Sequence, residues 1–360
     1  MTTLELGRPA FAQTFYAVAG RLICVEAEGD EAASLFRRHF EGWHVAPSEG
    51  ARGGARDATI AVRESPAPAP PPRGFETFET GGGGLCHTDG RTYLFESNGS
   101  AVRACAESPG LVEVWVGAAH ASREAAALAR LVFDASMTAL RRCGLFELHG
   151  AGLVEPRGGE GYLVVGPSGS GKSTLTTQLA RAGWRYLSDD SLLLYEGGAK
   201  FEGDGARAEG AGPRIEARAL RRAFAVTEPT LAAGLLRGFE GLLGEPAPFD
   251  PSKRRFEPQA VFPESFAEAC TPRAVFFPAI THAASSRARR LSQAETMRRL
   301  IRMCPWACYD KPAAKAHLGV LARLARQSAG FELLSGRDLL GDAGHAANFL
   351  RGCVEGREAS

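Results

Sequence analysis

The stretch GYLVVGPSGSGKSTLTTQLARAGWRYLSDDSLLLY, residues 161–195, constrains this chain more than any other. Residues 161–165 are an apolar run of strand length, Gly166 to Ser173 satisfy the pattern GxxxxGK[ST], and residues 172–182 have helical spacing. Strand, glycine loop and helix in that order mark an α/β architecture. In such a loop the glycines let consecutive backbone N–H groups converge on phosphate oxygens, and the dipole of the following helix adds to the anion site. Gly166, Pro167, Ser168, Gly169, Ser170, Gly171, Lys172, Ser173 and Thr174 are therefore the candidate nucleotide-binding residues. Lys172 would reach the β- and γ-phosphates, and the Ser173 hydroxyl would ligate Mg²⁺.

Composition sharpens the case for Lys172. Only five of the 42 basic residues are lysines, at 172, 200, 253, 311 and 315, yet lysine stands at the loop position. A compact ammonium fits between two phosphates where a planar guanidinium does not.

Asp189 and Asp190 close the strand expected after the loop helix, 17 and 18 residues beyond Lys172. Ligands collect at the carboxyl ends of strands in open α/β sheets, so both carboxylates are expected beside the loop. One could hold Mg²⁺ or its water, and the other could take a proton from an attacking hydroxyl. His149, in LFELHGAGL, ends the strand expected before residues 161–165; taken alone it reads as a hydrogen-bonded core histidine.

The rest of the chain suggests two domains. Residues 1–120 read as a small α+β domain with a proline- and glycine-rich loop at 63–84, and residues 121–355 as the P-loop domain. Ser122 is the expected N-cap of a helix running to Gly144, and Ser292 opens a capping box. Forty-two basic residues against 41 acidic ones leave no net field to recruit nucleic acid or anionic lipid. No apolar run approaches the roughly 20 residues that cross a bilayer, and the first residues lack a signal-peptide pattern. A cytoplasmic protein is expected. The eight cysteines are scattered, and the Cys304/Cys308 pair has no second pair to complete a zinc site.

Read together, LHGAGL and GYLVVGPSGSGKSTLTTQLARAGWRYLSDD resemble the catalytic core of HPr kinase/phosphorylase. These are bacterial P-loop serine kinases related in fold to phosphoenolpyruvate carboxykinase. The resemblance is strongest over about residues 145 to 195 and extends more weakly to about 350. It implies a mixed central sheet flanked by helices, ATP and Mg²⁺ as cofactors, and a serine of a protein or peptide as acceptor. By the same resemblance His149 is the active-site histidine, Lys172 the phosphate lysine, Ser173 the magnesium serine, Asp190 the proton acceptor and Asp189 its acidic neighbour. Glu216, in RIEAR, is the candidate second magnesium ligand, and Arg254 or Arg255 the active-site arginine. No counterpart of the family's phosphorylase-linked glycine-rich segment is found, and the first 120 residues do not read as its usual sensor domain. The related kinases assemble into oligomers, which leaves a homo-oligomer open here. A small-molecule kinase, a P-loop ATPase and a non-catalytic nucleotide-binding module stand as alternatives, although the LSGGQ-like signature of transport ATPases is missing.

Overall fold

The computed structural model describes residues 11–48, 55–65, 74–80, 84–97, 99–117, 125–197, 214–220, 223–247, 250–281 and 283–357. By internal contacts the chain forms two units, one running to Gly144 and including Tyr309–Ala313, the other holding Leu145–Cys308 and the chain from Ala314. The expected boundary at 120 thus falls instead at Gly144, because the helix after it packs on the first unit's sheet. The expected N-cap, Ser122, lies outside the described residues.

The first unit contains β1 (Phe11–Val18), β2 (Arg21–Glu28), α1 (Asp30–Gly42), β3 (Ala58–Arg63), β4 (Glu76–Thr80), β5 (Gly84–Thr88), β6 (Thr92–Ser97), β7 (Ser100–Cys105), β8 (Leu111–Trp115) and α2 (Ala125–Arg142). Its eight-stranded sheet has the order β1-β2-β3-β8-β7-β6-β5-β4, with β3 parallel to both neighbours and every other pair antiparallel. Part of the loop expected at 63–84 is strand: β4 pairs with β5 as an edge. A threonine-rich ETFET supplies β-propensity that the surrounding prolines and glycines obscure in a composition count. The helices bury an apolar stripe in which Phe36 and Phe40 are fully covered, and Tyr16 stacks on Phe40 at 4.0 Å. Residues 309–313 are held by charge. Asp310 lies 3.2 Å from Arg141 and 3.1 Å from Arg142, and all three side chains are at most 3% exposed.

The rest of the chain forms β9 (Phe146–Val154), β10 (Gly161–Val165), α3 (Lys172–Arg181), β11 (Arg185–Ser188), β12 (Ser191–Gly197), β13 (Arg214–Ala219), β14 (Phe224–Thr227), α4 (Glu228–Ala232), β15 (Pro246–Ala247), β16 (Asp250–Phe256), α5 (Pro258–Val261), β17 (Ala269–Cys270), β18 (Pro272–Ile280), β19 (Arg287–Arg290), α6 (Gln293–Arg302), α7 (Trp306–Tyr309), α8 (Lys311–Gln327), β20 (Ala329–Ser335), α9 (Asp338–Gly341) and α10 (Ala343–Glu355). A mixed sheet runs β17-β13-β12-β9-β10-β18-β20-β19, and β11 also pairs with β9. The fold is thus mixed α/β. β10 is hydrogen-bonded on both edges, and all five of its residues are buried, as in a strand whose sheet is covered on both faces. Leu175 and Leu179 of α3 join Tyr162, Trp184 and Phe276 in the core. Ser292 caps α6 with the expected reciprocal bonds to Glu295.

The strand expected over YLSDDSLLLY is interrupted. β11 and β12 follow one edge of β9 in the same direction, with Ser188 opposite Gly152 and Ser191 opposite His149. Asp189 and Asp190 bend out of the ladder between them. A second, three-stranded sheet, β14-β16-β15, is built from segments that carry no strong strand pattern in sequence.

Candidate functional site

Register on β9 assembles the site. Val165, the last residue of β10, pairs with Gly150, so the chain enters the glycine loop beside His149. On the other edge of β9, Ser191 pairs with His149, and the Gly150 N–H donates to the Asp190 carbonyl at 2.9 Å. One histidine is therefore flanked by the loop on one side and the paired aspartates on the other. Gly150 permits this, because a Cβ there would sit 3.1 Å from the Val164 carbonyl oxygen.

Gly169 and Gly171 turn the loop at φ of 80° and 98°, values that L side chains rarely adopt. Gly171 caps α3, whose first residue is Lys172. Lys172 is 6% exposed, and its ammonium donates to the carbonyls of Gly166 at 2.8 Å and Pro167 at 3.0 Å. It also lies 3.0 Å from His149 Nε2. An ammonium has no lone pair, so Nε2 accepts and the imidazole proton sits on Nδ1. Nδ1 faces Asp190 Oδ1 at 3.2 Å. The result is a continuous chain from Lys172 through His149 to Asp190. Burial pulls the Lys172 pKa down to about 8, with the Asp190 and Asp189 charges opposing that pull and Lys253 adding to it.

The two aspartates differ in setting. Asp189 is fully buried and its Oδ2 accepts the Ala225 N–H of β14 at 3.1 Å, which ties the small sheet to the site. The Asp190 side chain is 27% exposed and accepts the Ser191 hydroxyl at 3.3 Å. Carboxylate exposure beside the loop thus belongs to Asp190, the group able to meet an incoming hydroxyl.

Two sequence expectations change. Glu216 pairs in register with Tyr195, four residues along β12 from Ser191 and about 13 Å away at roughly 3.3 Å per residue. The Tyr195 hydroxyl donates to its Oε2 at 2.9 Å. The structure thus does not bring Glu216 to the loop. Arg254 turns its guanidinium to the Gly244 carbonyl, which leaves Arg255, on the same face of β16 as Lys253, as the candidate arginine. The cation that reaches the loop from this strand is Lys253, whose Nζ donates to the Ser168 hydroxyl at 3.0 Å. Its scarcity in an arginine-rich chain was the available signal, because position 253 is one of only five lysines.

Among the described residues no group of three or more His, Cys, Asp and Glu side chains is placed to hold a metal ion. Mg²⁺ arriving with a nucleotide keeps waters and takes phosphate oxygens besides one or two protein ligands, so two oxygen donors beside the loop would fit it. Ser173, half-buried in the first turn of α3, and Asp189 are the candidate holders.

No protein-family model matches the chain, and no curated protein matches it. Among solved structures, the HPr(Ser) kinase/phosphatase from Coxiella burnetii is similar at 12% identity. The alignment covers 41% of this chain and 71% of that one with a TM-score of 0.24, a likeness too slight to define a fold. Among the described residues no helix is long and apolar enough to cross a membrane.

Proposed function

We propose that the protein is an ATP- and Mg²⁺-dependent kinase that transfers the γ-phosphoryl group to a hydroxyl. The observation that carries this reading is the chain Lys172–His149–Asp190, which joins a phosphate-loop lysine to a partly exposed carboxylate through one imidazole. A nucleotide-binding module needs the loop and one carboxylate for Mg²⁺; a second, solvent-reaching carboxylate held by a histidine is what proton removal from an acceptor would use.

In the proposed reaction Lys172 turns from the carbonyls of its own loop to the nucleotide phosphates, where it and the loop N–H groups stabilise charge on the transferred oxygens. Asp190 takes the proton of the acceptor hydroxyl as the new O–P bond forms and the bond to the ADP oxygen breaks. His149 holds the Asp190 carboxylate in position through its Nδ1–H. Mg²⁺, when bound at Ser173 and Asp189, would neutralise β- and γ-phosphate oxygens. The acceptor class, a serine of a protein or peptide, is supported by the sequence resemblance over residues 145–195.

The test is transfer of labelled γ-phosphate from ATP by the purified protein in host lysate, with Lys172→Ala as control. Label on a discrete protein or peptide, absent with the variant, is the expected result. Release of inorganic phosphate without transfer would replace the kinase with an ATPase.

A further inference from the structure

At the end of the mixed sheet opposite the glycine loop lies a cavity of about 330 Å³, lined by arginines from three elements. Arg273 stands at the start of β18, Arg290 ends β19, and Arg326 lies in the last turn of α8. Gln293, the first residue of α6, borders the same space and brings the positive end of that helix to it. Among the described residues no carboxylate lines the cavity. We propose that it is a binding site for a small phosphorylated anion, separate from the glycine loop.

A local imbalance of charge is the first support. One residue back on β19, Arg289 lies 3.1 Å from Glu332 and 3.3 Å from Glu295, and Arg299 of α6 also pairs with Glu332, so that neighbouring cluster is balanced. Of the three cavity arginines, Arg273 alone has a carboxylate, Glu160. Arg290 and Arg326 pair with none among the described residues. Arg290 instead lies over the Phe331 ring, 5.0 Å from its centroid, a contact that holds the guanidinium without neutralising it. Like charges gathered around one concave space repel, and an anion between them removes that cost.

Geometry then selects the class of anion. Each guanidinium offers a planar fork of parallel donors. The forks here come from a strand start, a strand end and a helix end, so they reach the cavity from different sides. A tetrahedral phosphoryl group has oxygens for all of them, whereas a carboxylate presents two oxygens in one plane. The volume, at the low end of the roughly 300–1,000 Å³ of small-molecule sites, limits the ligand to a phosphoryl group on a short skeleton.

Position separates this site from the transfer chemistry. Arg273 and Ile280 are seven residues apart on β18, about 23 Å at roughly 3.3 Å per residue, and Ile280 lies against Gly171 of the loop. An anion held here neither displaces phosphates from the loop nor takes part in transfer, and the proposal stands apart from the kinase reading.

The experiment is calorimetric titration of inorganic pyrophosphate, without Mg²⁺ and at about 0.15 M salt, into full-length Lys172→Ala protein, whose loop lacks its ammonium. Binding is expected, and adding Arg290→Gln and Arg326→Gln should weaken it at least about tenfold. Arg326→Gln alone, at an exposed position, should give a smaller loss in the same direction, and thermal melting checks that each variant is folded. Adding Arg298→Gln instead, an exposed arginine of α6 outside the cavity, should change affinity less than about twofold. Equal weakening by Arg298→Gln would overturn the site in favour of diffuse surface charge. Absence of pyrophosphate binding, or binding indifferent to Arg290 and Arg326, would overturn it outright. Citrate binding as tightly as pyrophosphate would overturn the phosphoryl assignment.

Discussion

Two charge clusters in this molecule make opposite use of the same chemistry. In the first unit, Asp310 sits between Arg141 and Arg142 with all three side chains at most 3% exposed. In the second, Lys172, His149 and Asp190 form a chain whose histidine and aspartate side chains remain 38% and 27% exposed. The closed cluster has nowhere to admit a ligand, and its groups fasten residues 309–313 to α2. The half-open cluster holds its ammonium against carbonyls of its own loop, contacts that phosphate oxygens can replace. Burial against opposite charge secures a chain; the buried Lys172 ammonium, held by neutral carbonyls beside a histidine and an aspartate that reach solvent, is left able to change partners.

The largest expected effect breaks the closed cluster. Asp310→Ala leaves two guanidinium groups buried without their carboxylate and should destabilise the first unit by about 3–5 kcal/mol, read by denaturant titration. Nucleotide affinity is expected to stay within about twofold if the two clusters have separate roles.

The half-open cluster should respond to pH with opposite signs in two measurements. The Lys172 pKa falls from 10.5 in the unfolded chain to about 8 in the folded protein. Between those values the unfolded chain binds more protons, so this group's contribution makes stability rise with pH across that window. Phosphate needs the ammonium form, so ATP affinity should fall as pH rises above about 8, by up to about tenfold per unit. Calorimetric titration from pH 7 to 9.5 beside thermal melting reads both; affinity that is flat across this range would break the assignment of Lys172.

A smaller effect separates Lys253 from its neighbour Arg254 on β16. Lys253→Ala should weaken ATP about three- to tenfold, the scale of one partly exposed charge-assisted contact of about 1 kcal/mol or slightly more. Arg254→Ala should change it less than twofold, because that guanidinium is turned to the Gly244 carbonyl. Smallest of all, Glu216→Gln should leave both ATP affinity and its Mg²⁺ dependence unchanged, since Glu216 is held by Tyr195 away from the loop.

The same contrast explains what could be read from the sequence. The loop, its strand and its helix are contiguous, so spacing and periodicity expose them directly, and short-range order also reveals the capping box at Ser292. His149 and Asp190 were legible through a recurring motif, although what joins them is the register of β9 with β10 and β12. Lys253 stood out in the sequence only as a scarce lysine; its place beside the loop was not legible, because that depends on β16 pairing with β14, a partner nearly thirty residues away with no turn signal to set the register. Strand alternation then decides which neighbouring cation faces the loop, a choice composition cannot make. Glu216 was misplaced for the same reason: the register that seats it opposite Tyr195 is fixed across sixteen residues, 198–213, that separate β12 from β13. The closed Asp310 cluster joins residues about 170 positions apart, and charge alone gave no hint of it.

The most direct test of the central claim sets nucleotide affinity beside phosphoryl transfer in Asp190→Asn. The amide keeps the size of the carboxylate and loses its basicity. If the chain from Lys172 to Asp190 serves transfer, labelled phosphate on the acceptor should fall at least about a hundredfold while ATP affinity stays within about threefold. Undiminished transfer in this variant, with ATP still bound, would contradict Asp190 as the proton acceptor and the mechanism built on it.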